Sequence, residues 1–174
     1  IPLIKTSNYL IIMSKQAARI FDPVAHPLPP KLVGSPGSSN VIIGNLPAWR
    51  GLPAAAVADL MNAVKESVEN IAKADAAAAA APSPATQANA AKTKVDEAKK
   101  MAEMIAGFAA MGVDIHACAT PLPPIPHGPG VVITGSATVL INGLPACRQG
   151  DMLQEAIGPP NTIVVGCPTV LIGG

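Results

Sequence analysis

Two long stretches in the middle of the chain carry apolar residues at every third or fourth position, the spacing of one face of an α-helix. They cover residues 54–81 and 86–111. Their apolar positions are Val57, Leu60, Met61, Val64, Val68 and Ile71, then Val95, Ala98, Met101, Ile105 and Phe108. The opposite faces are charged, and the two prolines of the intervening PSPAT require a turn. The pattern predicts an alanine-rich antiparallel helical hairpin that is too charged to span a membrane.

A different pattern, a short apolar run followed by turn residues, occurs three times outside these stretches. The copies read SSNVIIGNLPAWR at residues 38–50, SATVLINGLPACR at 136–148 and CPTVLIGG at 167–174. Each copy predicts a strand and a tight turn, and the two longer copies continue into a second strand. Asn142-Gly143 is the strongest hairpin signal, because both central residues of a type I′ turn need positive φ. The runs VII, VLI and VLI are apolar throughout, which is typical of strands without a solvated face.

Prolines surround the first two copies, and they restrict where strands can lie. Because proline cannot donate to a strand ladder, these residues are predicted to form extended connectors rather than central strands. They are Pro27, Pro29, Pro30, Pro121, Pro123, Pro124 and Pro126.

The copies and the helical stretches together predict an α+β fold. One strand–turn–strand unit cannot bury its own apolar face, whereas three units around a common axis form a small conical β-hairpin domain with pseudo-threefold repeats. The helical hairpin then interrupts this domain as an insertion. The predicted limits are 1–12 for residues from an expression vector or from upstream sequence, 13–53 for the first copy, 54–112 for the hairpin, and 113–174 for the other two copies.

The composition indicates a thin core and excludes several classes of partner. Apolar residues make up 49% of the chain but aromatic residues only 2%, and there are 15 glycines and 19 prolines. A domain with few large side chains needs a staple or a partner. The net charge of +1, with no basic patch, argues against nucleic acid as a partner. No apolar run is long enough for a stable membrane span.

The histidines and one cysteine predict a metal site. His26, His116 and His127 are the only histidines in the chain, and Cys118 follows His116 at the spacing that puts both side chains on one face of a strand. A lone histidine in a proline-rich loop is most often a surface residue, but four such groups fit a tetrahedral zinc site. Metal binding can supply about 10 kcal/mol of folding free energy, which a thin core needs.

The two remaining cysteines and three arginines are interpreted as structural. Cys147 lies where the first copy has Trp49, and Cys167 where the second has Ser136, so both occupy core positions of the repeat. Three cysteines also exclude a complete disulfide framework. Arginines end three similar tripeptides (AAR, AWR and ACR), and Arg–Asp pairs are expected to brace the turns that follow. These residues are Arg19 with Asp22, Arg148 with Asp151, and Arg50.

The stretch TGSATVLINGLPACRQGD resembles the repeat of the PAAR family, whose motif reads here Pro145-Ala146-Cys147-Arg148. The stretch AARIFDPVAH at residues 17–26 is similar to the prePAAR motif AARxxDxxxH. The D-x-H-x-C step at residues 114–118 and Pro126-His127 complete the resemblance. It covers the chain from Met13 onwards except for the helical stretches.

The resemblance implies a cone of β-hairpins with zinc near its point. By motif, the zinc ligands are His26, His116 and His127, with Cys118 or a water molecule as the fourth. Many relatives have a cysteine shortly after the Gly-Asp that follows the motif arginine, whereas residues 151–160 here have none.

The resemblance also implies a mechanical function. Such proteins cap and sharpen the trimeric β-helical spike, a VgrG-like protein, of type VI secretion systems or phage-tail-like particles, with one tip per trimer. The expected location is the bacterial cytoplasm during assembly and then the tip of the secreted particle. The chain ends directly after the third copy, which predicts a stand-alone tip. The helical hairpin is a candidate attachment surface for an effector or adaptor.

The alternative is a zinc-dependent hydrolase that uses three histidines and a bound water. Asp114 and Glu155 are the only nearby carboxylates that could act as its general base. No HExxH or similar spacing occurs, so a non-enzymatic role is favoured.

Overall fold

The computed structural model describes residues 14–26, 31–122 and 125–174, and it contains both helices and sheets, which confirms the α+β class. The predicted extra segment 1–12 lies outside the described residues. The helices are α1 (Ala54–Ala80) and α2 (Pro84–Gly107), and a 3₁₀ turn (Phe108–Met111) follows. The strands are β1 (Lys15–Ala17), β2 (Ile42–Ile43), β3 (Leu46–Pro47), β4 (Ile115–Leu122), β5 (Ile125–Val132), β6 (Leu140–Ile141), β7 (Leu144–Pro145), β8 (Met152–Glu155), β9 (Asn161–Thr162) and β10 (Cys167–Ile172).

The helices match their predicted limits closely, and a capping box explains where α2 begins. The Ser83 hydroxyl accepts from the Thr86 N–H at 3.2 Å, and the Thr86 hydroxyl accepts from the Ser83 N–H at 3.0 Å. Pro84 occupies a first-turn position, where its missing N–H costs nothing. The two helices pack against each other. Within the described part of the chain, neither is long and apolar enough to cross a membrane.

Two tight hairpins, β2–β3 and β6–β7, form at the copies of the repeat that contain a complete motif. Asn142 and Gly143 have φ of 54° and 79°, and Gly44 and Asn45 have φ of 53° and 67°. Both central residues of each turn are therefore left-handed, as the Asn-Gly signal predicted for Asn142-Gly143.

The largest sheet is antiparallel with the order β4-β5-β8-β9, and it corrects one prediction about proline. Pro121 and Pro126 lie within β4 and β5 and face each other at the end of that ladder. The strands tolerate them because β4 is an edge strand, and because β5 pairs with β8 only at residues 130–132. The prolines at 27, 29, 30, 123 and 124 lie outside the described residues.

A closed ring of three backbone hydrogen bonds lies at the centre of the β-structure. The Ala18 N–H donates to Cys147 O at 2.8 Å, the Cys147 N–H to Trp49 O at 3.1 Å, and the Trp49 N–H to Ala18 O at 3.0 Å. These residues immediately precede Arg148, Arg50 and Arg19, and all three belong to one buried cluster. Equivalent positions of the three segments thus meet at one place.

The three apolar runs each bury their last residue and expose their middle residue. Their last residues, Ile43, Ile141 and Ile172, are buried in a common cluster. Their middle residues are exposed by 56% to 60%, and these are Ile42, Leu140 and Leu171. Alternation along each short strand therefore leaves the middle side chain of every run in solvent, and in the second run Val139 is also 37% exposed.

The helices pack on the sheet through a second apolar cluster. Leu60 of α1 and Met101 and Ile105 of α2 are fully buried there. They join Val131 of β5 and Ala156, the residue that follows β8. Because Ala156 directly follows Glu155, this packing also holds the end of β8 in place.

Candidate metal centre

Three arginine–aspartate turns with the same hydrogen-bond geometry lead into the site. Arg19 donates its backbone N–H and Nε–H to Asp22 Oδ2, at 2.7 and 3.1 Å, and its Nη2–H to Oδ1 at 2.8 Å. Arg148 makes the same three bonds to Asp151, at 2.8, 3.2 and 3.0 Å. Arg50 makes them to Asp114, at 2.8, 2.9 and 2.9 Å, although α1 and α2 separate the two residues in sequence.

The residue four positions after each aspartate carries a potential metal ligand. These residues are His26, Cys118 and Glu155. His127, from β5, is the fourth member of the cluster. Each of the four offers one ligand atom, and these atoms lie within 4.8 Å of one another.

Close contacts link the four side chains. His26 Nε2 lies 3.0 Å from Cys118 Sγ, 3.1 Å from His127 Nδ1 and 3.1 Å from Glu155 Oε1. His127 Nδ1 lies 2.7 Å from Glu155 Oε2. On the far side of the His26 ring, Nδ1 is 2.7 Å from the Thr120 hydroxyl, which leaves Nε2 directed at the cluster.

The cluster is buried. The Glu155 side chain is fully buried and that of His127 is 14% exposed. Burial raises the pKa of the Cys118 thiol, because a thiolate is poorly solvated there. A bound cation would reverse that preference, since a coordinating thiol is deprotonated. A buried carboxylate likewise needs a positive partner to offset its desolvation.

His116 lies beside the cluster rather than in it. It is fully buried, its ring centroid is 6.2 Å from that of His26, and its Nε2 is 3.8 Å from Glu155 Oε1. Burial and the neighbouring His26 lower the pKa of His116 to about 4, which keeps the ring neutral. Among the described residues, neither His116 Nε2 nor Glu155 Oε1 makes a hydrogen bond.

The donor set fits a divalent metal ion. Two imidazoles, one thiol and one carboxylate, drawn together in a buried place, are the ligand types that zinc takes in proteins. The unsatisfied buried atoms of Glu155 and His116 support the same conclusion, because such groups normally have a partner.

The sequence prediction and the cluster agree in three of four members. His26, Cys118 and His127 come together, His116 is displaced, and Glu155 joins them. Glu155 was considered only as a base for a hydrolase. The signal that could have identified it as a ligand is the repeated spacing of four from an arginine-paired aspartate, which it shares with His26 and Cys118.

The other predicted structural residues lie away from the cluster. Cys147 and Cys167 are buried free cysteines, and Cys147 belongs to the central ring. Pro145 ends β7, and the N–H of the buried Ala146 donates to Val139 O at 3.0 Å.

These observations define a small α+β protein that is built from internal repeats and contains a candidate metal centre. A family model described as the PAAR motif matches residues 123–174, which include Pro145-Ala146-Cys147-Arg148 and the third copy. This match confirms that the chain carries the PAAR repeat that its motifs predicted. No curated protein and no solved structure matches it.

Proposed function

We propose that this chain is the metal-stabilised tip of the spike of a contractile injection system, either a type VI secretion system or a phage-tail-like particle. The family match supports this role. The observation that carries it is the set of three equivalent apolar side chains, Ile42, Leu140 and Leu171, exposed around one buried cluster. A single chain with three similar contact points suits a trimeric partner.

The proposal includes a cone with pseudo-threefold symmetry. The ring of backbone hydrogen bonds between Ala18, Trp49 and Cys147 supports it, as do the three Arg–Asp turns. Further support comes from contacts between one copy and the turn of the next. The Ser38 hydroxyl donates to Asn142 Oδ1 at 2.7 Å, and the Ser136 hydroxyl donates to Gly173 O at 2.6 Å.

In this arrangement the helices are an insertion within one of the three turns. The first and third Arg–Asp turns span four residues, whereas residues 51–113 separate Arg50 from Asp114. The corresponding domains are 13–53 for the prePAAR motif and first repeat, 54–112 for the hairpin, and 113–174 for the second and third repeats. The hairpin is also proposed as an attachment surface for an effector or adaptor.

The partner is a trimeric VgrG-like β-helical protein, with one tip per trimer. The exposed side chains of Ile42, Leu140 and Leu171 would be buried on its blunt end, at about 25 cal/mol per Å² of apolar surface removed from water. Assembly would take place in the bacterial cytoplasm, and the tip would then leave with the particle.

Zinc is the proposed metal, and its role is structural. When bound, it would cross-link the segment that ends at His26 to β4, β5 and β8 and stiffen the narrow end of the domain. Glu155, the carboxylate that could have acted as the general base of a hydrolase, is buried within the cluster as a candidate ligand. This favours a tip over a hydrolase.

Binding to the trimeric spike of the same organism tests the proposal. The variant with Ile42→Asp, Leu140→Asp and Leu171→Asp should bind at least about 100-fold more weakly, a loss of about 2.8 kcal/mol, because three carboxylates would be desolvated at the contact. A control with Val164→Asp and Val165→Asp changes residues that are 45% and 42% exposed elsewhere. It should bind like the parent. Equal binding by the triple variant and the parent would refute the docking surface.

A further inference from the structure

We infer that Glu155 is a direct ligand of the metal and that His116 is a positioning residue, so that the ligand set is His26, Cys118, His127 and Glu155. This inference rests on the proposed metal centre but departs from the three-histidine set that the family motif suggests. It assigns a carboxylate to a place where motif transfer leaves only a cysteine or a water.

The first argument comes from equivalent positions in the three turns. Each bracing aspartate is followed, four residues later, by a member of the cluster: His26 after Asp22, Cys118 after Asp114, and Glu155 after Asp151. Because the Arg–Asp geometry is the same in all three turns, the strands that leave them bring equivalent residues to one point.

The residues two positions after each aspartate behave differently. They are Val24, His116 and Leu153, and all three are buried. Val24 and Leu153 belong to the central apolar cluster. His116 therefore occupies a position at which the other two turns place an apolar core side chain.

Distances favour the same assignment. Tetrahedral zinc with bonds of 2.0 to 2.3 Å holds its ligand atoms about 3.3–3.8 Å apart. Glu155 lies slightly closer than this to two of the other ligands, with Oε1 3.1 Å from His26 Nε2 and Oε2 2.7 Å from His127 Nδ1, and the ligand atoms of all four residues lie within 4.8 Å of one another. His116 Nε2 lies 3.8 Å from Glu155 Oε1, but among the described residues His116 is not part of the group whose ligand atoms all lie within 4.8 Å of one another.

This contact defines the role of His116. A ligating carboxylate is normally oriented by a neighbouring donor, and outer-shell partners of this kind affect metal affinity by about 10- to 100-fold. His116 Nε2 faces the unsatisfied oxygen of Glu155, while its Nδ1 lies 3.5 Å from the donating Val33 N–H. Asn161 Nδ2 donates to the other oxygen, at 3.2 Å.

Three variants of the full chain test the assignment, with zinc content and the absorption spectrum of the cobalt(II)-substituted protein as readouts. Glu155→Gln keeps the shape but removes the anionic ligand, and should weaken metal binding by more than about 100-fold. His116→Leu matches the apolar residues at the equivalent positions. It should retain one metal ion per chain, with an affinity loss within about 100-fold and a tetrahedral cobalt spectrum.

The third variant, Glu155→Cys, keeps the assignment testable if the Glu155→Gln protein does not fold. If Glu155 is a ligand, the new thiolate replaces it and the thiolate-to-cobalt charge-transfer intensity rises roughly twofold over the parent. If it is not, the intensity stays at the value for the single thiolate of Cys118.

The outcomes separate this inference from the proposed function. A His116→Leu protein that loses its metal, together with an unchanged charge-transfer intensity in Glu155→Cys, would overturn the assignment and leave the metal centre standing. A parent protein that binds no metal would overturn both the zinc centre and the assignment. The spike-binding experiment would still decide the docking role.

Discussion

At the residue scale, Phe21 has the backbone conformation of a glycine. Its φ is 68°, and it lies in the first Arg–Asp turn where the third turn has Gly150 with φ of 79°. The left-handed region costs a residue with a side chain about 1–2 kcal/mol. The turn keeps this strain because Asp22 is held by three hydrogen bonds from Arg19.

We therefore expect Phe21→Gly to stabilise the protein. The relief of strain exceeds the larger conformational entropy that glycine loses, so the free energy of unfolding should rise by about 0.5–1 kcal/mol. Urea denaturation measures this change. The matched control is Gly150→Ala, which introduces the same strain where no crowding opposes a Cβ, and should lower stability by about 1 kcal/mol. A destabilised Phe21→Gly protein would contradict the argument.

The second residue-scale prediction concerns the pair of Arg50 and Asp114. The Asp114 side chain is 1% exposed, so Arg50→Ala leaves a buried carboxylate without its partner and should cost about 3–5 kcal/mol. A double-mutant cycle with Asp114→Ala measures the coupling, which should be at least about 2 kcal/mol. The same cycle on the exposed pair of Lys92 and Asp96 should give less than about 1 kcal/mol. Equal couplings for the two pairs would contradict this prediction.

At the scale of elements, the helical hairpin is joined to the β-structure by a narrow apolar seam. Met101 and Ile105 are fully buried against β5 and Ala156, whereas Met61 and Val68 of α1 remain exposed. The seam lies next to Glu155, so the packing of α2 also supports the strand that carries a candidate ligand.

The seam predicts different costs for the same substitution at two methionines. Met101 is fully buried, and Met101→Ala should lower the free energy of unfolding by about 2–5 kcal/mol through lost burial and a cavity. Met61 is 37% exposed, and Met61→Ala should cost less than about 1 kcal/mol. Thermal unfolding of both variants makes the comparison. Similar losses at the two positions would mean that the hairpin does not depend on this seam.

At the scale of the whole molecule, the cluster joins segments that are far apart in sequence. His26 precedes the helices, whereas Cys118, His127 and Glu155 follow them on three strands of one sheet. A metal bound there closes long loops of the unfolded chain, so its removal should affect the β-structure more than the helices.

Removal of the metal with a chelator should lower the melting temperature by about 5–10 °C when zinc is in hundredfold excess over its dissociation constant beforehand. Trp49 is the only tryptophan and is fully buried beside the central ring, so its fluorescence reports on the β-structure. Far-ultraviolet circular dichroism reports mainly on α1 and α2. We expect the tryptophan signal to change at the lower temperature, and added zinc to restore it. Identical melting with and without chelator would contradict a structural metal.

Local chemistry in the sequence was enough to predict the helices, their turn and the two tight hairpins. Apolar spacing and the prolines of PSPAT specify α1 and α2, and the need for positive φ specifies the turn at Asn142-Gly143. The PAAR motif could also be predicted from the sequence, because its residues are contiguous in the chain. Three members of the cluster could be predicted because histidine and cysteine are scarce in this sequence.

Only the tertiary structure decided which residues meet. Glutamate is common on surfaces, so its residue type does not distinguish Glu155. Its spacing from Asp151 gains meaning only when β8 places it, fully buried, against His26 and His127. His116 has the chemistry of a ligand, yet it lies two residues after Asp114, where the other two turns place the buried apolar residues Val24 and Leu153. The apolar runs predicted strands that dock on a partner, but only the tertiary structure decided which residue of each run is most exposed, namely Ile42, Leu140 and Leu171, because an apolar triplet has the same sequence whichever of its residues faces the core. Side-chain type is encoded locally, whereas burial and convergence depend on how distant segments pack.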